Sequence, residues 1–148
     1  MMFGSFLRFG MLAAVAPCLM GSPDLDAVKA EPNLEKRSEL ALKNADLALD
    51  LARKAYSEGD RNSLDEALNE AIASLDLCQE SLEESGRNAR KKPKYFKKAE
   101  IGARKYLRRL DSFRNEMSVA DRPTIEPVVE RAHKLQEDIL HAIMGKKK

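Results

Sequence analysis

Glu130 and His133 stand three residues apart, and Asp138 and His141 repeat that spacing. A Glu-x-x-His pair on a helix is what each of two helices contributes to a di-iron bundle. Here both pairs fall on one predicted helix. The other three predicted helices place no carboxylate in their apolar stripes, so four ligating helices do not converge. Glu126, Glu130, His133, Glu137 and His141 do share one side of that helix. Neutral imidazoles beside carboxylates can hold a transition metal at a surface. The competing reading is a solvated polar face opposite an apolar stripe. A metal-binding enzyme using Glu130, His133, Glu137 and His141 is therefore a remote third reading, and no metal, cofactor-binding or catalytic residue is assigned.

Nucleophilic chemistry finds less support. No serine sits in a nucleophile-elbow glycine pattern. Ser63 reads as a helix cap. The two histidines share one helix, so a Ser–His or Cys–His pair would depend wholly on tertiary placement. Cys78 occupies a core-facing helix position, where a thiol is an inert small hydrophobe. No strand is predicted, hence no strand–glycine loop–helix phosphate cradle. The expectation is a protein that is not an enzyme and needs no cofactor.

The basic segment carries the functional reading. Arg87, Arg90, Lys91, Lys92, Lys94, Lys97 and Lys98 surround Tyr95 and Phe96, and Arg104, Lys105, Arg108, Arg109 and Arg114 continue the run. Residues 31–86 hold 14 acidic and 6 basic side chains, net −8, whereas 87–114 hold 12 basic and 2 acidic, net +10, in a chain of net +2. Lys97, Lys98, Arg104, Lys105, Arg108 and Arg109 are the predicted contact residues for an acidic partner. That partner is an unknown protein or an anionic envelope polymer. The runner-up is an anionic-polymer or nucleic-acid binding protein using 87–114, since cations bind phosphate and rings stack on unpaired bases. Nucleic acid is disfavoured, because Tyr95 and Phe96 fall in phase with the apolar stripe and the pI is only about 8.5. The competing reading is internal: Glu35, Glu39, Asp46, Asp50, Asp65, Glu66, Asp76, Glu80, Glu83 and Glu84 can lie beside the basic helix, each exposed pair adding about 0–1 kcal/mol.

Four amphipathic helices must position these charges. The first runs about 33–58, with Ser38, Ala41, Ala45, Ala48, Ala52 and Ala55 three and four apart on one stripe. An alanine seam lets a neighbouring backbone come close. Leu40, Leu47 and Leu51 lie off it and suggest a second contact, with a partner helix or another molecule, oligomerisation included. Gly59 ends this helix, and Ser63 with Glu66 reads as a capping box for the next, about 64–85. The third runs about 94–116 and holds Gly102, tolerable where a neighbour packs closely. Pro123 and Pro127 mark the start of the fourth, about 124–144. Short loops make neighbours antiparallel. The fold class is all-α, as an antiparallel four-helix bundle or two stacked αα-hairpins.

Residues 1–30 read differently. From Phe9 to Pro23 there is no charge, too short a run for a bilayer crossing of about 20 residues. With Arg8 as positive flank it suits a secretory signal, and Val28-Lys29-Ala30 offers small residues for cleavage before Glu31. The expectation is a cleaved signal peptide at 1–30, a single helical domain at 31–148, a secreted or periplasmic location and no transmembrane span after signal removal.

Leu51, Ala52, Gly59, Leu68 and Ala71 fall at the spacings of a tetratricopeptide unit, which 45–76 resembles. The family's Trp and Tyr positions hold Ala48 and Ala55, its early small residue in the second helix is Leu64, and its closing Pro is Asp76. The resemblance implies a helical hairpin and no site residues. More broadly, the chain resembles small exported all-helical proteins of bacteria with no assigned activity.

Overall fold

Helix-forming stretches rich in Ala, Leu, Glu, Lys and Arg, each closed by a cap residue, become five helices in the computed structural model. It describes residues 23–86 and 88–145. They are α1 (Leu25–Lys29), α2 (Leu34–Glu58), α3 (Arg61–Glu84), α4 (Lys94–Glu116) and α5 (Glu126–Met144), with a 3₁₀ turn at Arg122–Thr124. No strand occurs among the described residues.

The helix ends follow local chemistry. Asn33 caps α2, its side chain accepting from the Lys36 amide. Gly59 ends α2 at φ 71°, in the left-handed region that a side chain penalises. The capping box expected at Ser63 is displaced. Asp60 is the cap of α3, accepting from the Ser63 amide at 3.1 Å and from the Ser63 hydroxyl at 2.7 Å. Its carboxylate is a good acceptor for the orphan amides and is favoured by the positive end of the helix. One extra turn therefore precedes the expected start.

The helices form two antiparallel hairpins, α2–α3 and α4–α5. They stack with α2 against α4 and α3 against α5. Lys98 meets Glu39 while Arg109 meets Asp46 and Asp50, so α2 and α4 rise in the same direction. Arg131 meets Asp76 and Gln79 meets Asp138, so α3 and α5 also run in parallel. In a simple up-down ring α3 would instead lie against α4. Of the two architectures read from sequence, the contacts have the pattern of stacked hairpins.

One core joins all four long helices. Ala41, Ala45, Ala48 and Ala52 of α2 are wholly buried, as are Ala71, Leu75 and Cys78 of α3. From α4 and α5 come Phe96, Tyr106, Leu110, Phe113, Val128, Ala132 and Leu135. The predicted close approach at Gly102 is present: a Cβ there would lie 2.9 Å from Leu42 Cδ1.

The short helix α1 was not anticipated, because it falls inside the expected signal segment. Residues 1–22 lie outside the described residues. Residues 23–30 are described, and α1 packs on α2 and α3. Leu40, one of the three off-stripe leucines of α2, packs against the core, whereas Leu51 stays 45% exposed. No described helix is long and apolar enough to cross a membrane.

Candidate functional site

The apolar stripe of α4 decides where its cations point. Phe96, Ala99, Ala103, Tyr106, Leu107, Leu110 and Phe113 turn inward. At 100° per residue, Lys97, Ile101, Arg104, Lys105 and Arg108 then gather on the opposite side. Lys98 and Arg109, eleven residues or three turns apart, flank the stripe on the α2 side. Glu100 and Arg114 flank it toward α5.

The six predicted contact residues therefore divide. Lys98 Nζ lies 2.7 Å from Glu39 Oε1, although the lysine is 63% exposed. Arg109 spans two acceptors one turn apart on α2. Its Nη1 donates to Asp46 Oδ1 at 2.6 Å, and its Nη2 donates to Asp50 Oδ1. Partial burial pulls the Arg109 pKa down, but Asp46 and Asp50 together outweigh this and raise it. Arg104 donates to Glu100, one turn earlier on its own helix, at 3.2 Å. For Lys97, Lys105 and Arg108 there is no ion pair among the described residues. All three are exposed, and Ile101 lies among them with 45% of its surface open.

The internal reading thus holds for Lys98 and Arg109 with α2, and for Arg104 within α4. It does not extend to the α3 carboxylates Asp65, Glu66, Glu80, Glu83 and Glu84, none of which pairs with α4. Asp76 pairs with Arg131 of α5 instead, and Glu84 lies 3.7 Å from Arg37. The ring stacking that nucleic acid would exploit is largely absent. Phe96 is buried in the core, and Tyr95 is half-buried with Lys94 Nζ 6.0 Å from its ring centre.

Glu130, His133, Glu137 and His141 all lie on the exposed face of α5, and Glu126 is taken by Arg114 Nε at 2.5 Å. Among the described residues no group of three or more His, Cys, Asp or Glu side chains is placed to hold a metal ion. Cys78 is buried as expected. Desolvation pushes its thiol pKa up to about 12 despite the opposing pull of Arg131, so it is held protonated, far from a reactive thiolate.

Three polar arrangements escaped the sequence reading. Glu100 neighbours the stripe but is 9% exposed, with Gln136 Nε2 donating to its second oxygen at 3.2 Å. Its signal was position 100 itself, one residue past Ala99. Asn44 is buried between α2 and α3, donating to Ser74 Oγ at 2.8 Å and Glu70 Oε1 at 2.9 Å. Asp121 joins the two hairpins at one end. It accepts from Tyr56 Oη at 3.0 Å, Ser118 Oγ at 2.9 Å and Arg61 Nη2 at 2.7 Å. Arg61 first, then Ser118 and Tyr56, hold its carboxyl below the usual aspartate range. No sequence pattern brings 56, 61 and 121 together; only the stacking of hairpins does.

Against these features, the comparisons add no kinship: the chain matches no protein-family model, no curated protein and no solved structure, so the tetratricopeptide likeness of 45–76 rests on its own residues.

Proposed function

We propose that this protein is an exported, non-catalytic interaction module that meets an acidic partner through the outward face of α4. The observation that carries the reading is the division of the α4 cations. Those beside α2 are neutralised by carboxylates, while Lys97, Lys105 and Arg108 keep their charge toward solvent around an exposed Ile101. An exposed cation costs the fold little. Three on one face with an apolar centre supply both long-range attraction and a desolvated contact. The low aromatic content, 5%, and the protonated, buried Cys78 support a binding role over a catalytic one.

A second reading has its own support. An acidic polymer needs no stacking rings, so the burial of Phe96 counts against nucleic acid and not against an envelope polyanion. The test is binding of a labelled poly-glutamate peptide and of a single-stranded oligonucleotide, followed by anisotropy between 50 and 200 mM salt. Lys97→Glu, Lys105→Glu and Arg108→Glu together should abolish binding to the acidic peptide and leave the melting temperature within about 2 °C. Peptide affinity that ignores both salt and the triple reversal removes the proposal. Preference for the oligonucleotide, lost in the same variant, would move the assignment to nucleic acid.

A further inference from the structure

We infer that α1 is a permanent clasp of the folded domain, and that any export processing cuts the chain upstream of Pro23, not at the Ala30–Glu31 bond. The inference is independent of the α4 binding role. Val28 decides between two uses of one residue. Read from sequence, it is the small residue three positions before a signal-peptidase cut. In the structure it is 8% exposed and belongs to the core shared by the long helices.

Five further hydrogen bonds fix residues 24–31, two of them to α2. The Asp24 amide donates to Asn44 Oδ1 at 2.8 Å. Asn44 is only 3% exposed and already donates through Nδ2 to Glu70 and Ser74. Asp24 thus supplies the donor that the Asn44 side-chain carbonyl needs, and a buried acceptor left without one destabilises the fold. The Asp24 carboxylate caps α1 through the Ala27 amide at 3.1 Å. At the other end, the two residues of the expected cut are tied down. The Ala30 amide donates to Asp26 O at 3.1 Å and the Glu31 amide to Val28 O at 3.1 Å. The Glu31 carbonyl accepts from Arg37 Nε at 2.8 Å. A discarded leader has no reason to complete a buried hydrogen-bond network of the protein it leaves. A segment that stays does.

Intact-mass measurement of the full-length chain, expressed in a host with a secretory pathway and recovered folded, tests this. The expected N-terminus lies at Pro23 or earlier, uncut chain included. An N-terminus at Glu31, or anywhere after Pro23, overturns the inference. A second measurement guards against a host that does not process the chain. Val28→Asp in the full-length protein should lower the melting temperature by about 5–10 °C, whereas an unchanged melting temperature would show that α1 is not part of the fold and would overturn it equally.

Discussion

The two hairpins close their cores by opposite means. In the first, α2 offers Ala41, Ala45, Ala48 and Ala52, all fully buried, so that α3 lies close and little side-chain volume separates the backbones. In the second, α4 brings Phe96, Tyr106, Leu110 and Phe113 against Val128, Leu135 and Ile139 of α5. Phe113 also forms a T-shaped pair with Tyr56, ring centroids 5.9 Å apart, and the Arg53 guanidinium lies 5.7 Å from its ring centre. The first seam leaves no room for added volume, while the second depends on the volume already there. Between them, α2 and α4 run in parallel, which sets their helix dipoles side by side and adds no attraction. Charge fills that role: acidic α2 faces basic α4 through Lys98–Glu39 and Arg109–Asp46/Asp50, and one pair of reversed polarity, Arg53–Glu116, joins the same seam.

The contrast should break most sharply in the second hairpin. Phe113→Ala removes a ring that is 1% exposed and should cost about 3–5 kcal/mol, read as a lower denaturant midpoint. The mirror change, Ala48→Leu, adds volume where none is open and should cost about 1–3 kcal/mol through strain. If the first hairpin accepts leucine at 48 without loss, the two seams do not differ as described.

Arg109→Ala tests the charged seam. It frees Asp46 and Asp50 at a site where the arginine is 35% exposed, so the loss should be about 1 kcal/mol or less and should shrink further at 1 M salt. A loss that is independent of salt would assign the residue a packing role instead.

The clasp between hairpins at Asp121 should respond to acid. Its folded pKa lies below the ordinary value of 3.8, so its contribution is present above that value and fades as pH falls through the lower, folded pKa. Asp121→Asn should lower stability at pH 6 and flatten the acid limb of the melting curve below about pH 4. An acid limb identical to that of the wild type would remove the clasp from the account.

The smallest effect belongs to Tyr106→Phe. The hydroxyl is buried and has no hydrogen-bond partner among the described residues, and burial raises its pKa above the usual tyrosine value. Deleting it should leave stability unchanged or improve it by up to about 1 kcal/mol.

Some of this was legible in the chain. The α2 alanine stripe, the burial of Cys78, the glycine end at 59 and the limits of α4 at 94 and 116 follow from a 3.6-residue period and from cap chemistry, both local. The Gly102 contact was legible as a type of feature, though not its partner Leu42. Three of the six candidate contact residues have internal partners that the sequence does not reveal. Lys98, Arg104 and Arg109 carry the same charge in sequence as Lys97, Lys105 and Arg108; carboxylates on α2 set Lys98 and Arg109 apart, and Glu100 one turn earlier on α4 sets Arg104 apart. Asp60 displaced Ser63 because two adequate caps stood three residues apart, and local patterns rank such competitors poorly.

By itself the sequence determined the helices, their inward faces and the sorting of charge between hairpins, because periodicity and capping act over a single turn. Tertiary structure alone decided that α2 lies beside α4, which cations are quenched, that Asn44 takes its last donor from Asp24, and that Asp121 ties the hairpins together. Those outcomes depend on which residues distant in the chain come into contact: a hydrogen bond needs its partners within about 3 Å, and a surface ion pair weakens steeply with distance in salt water.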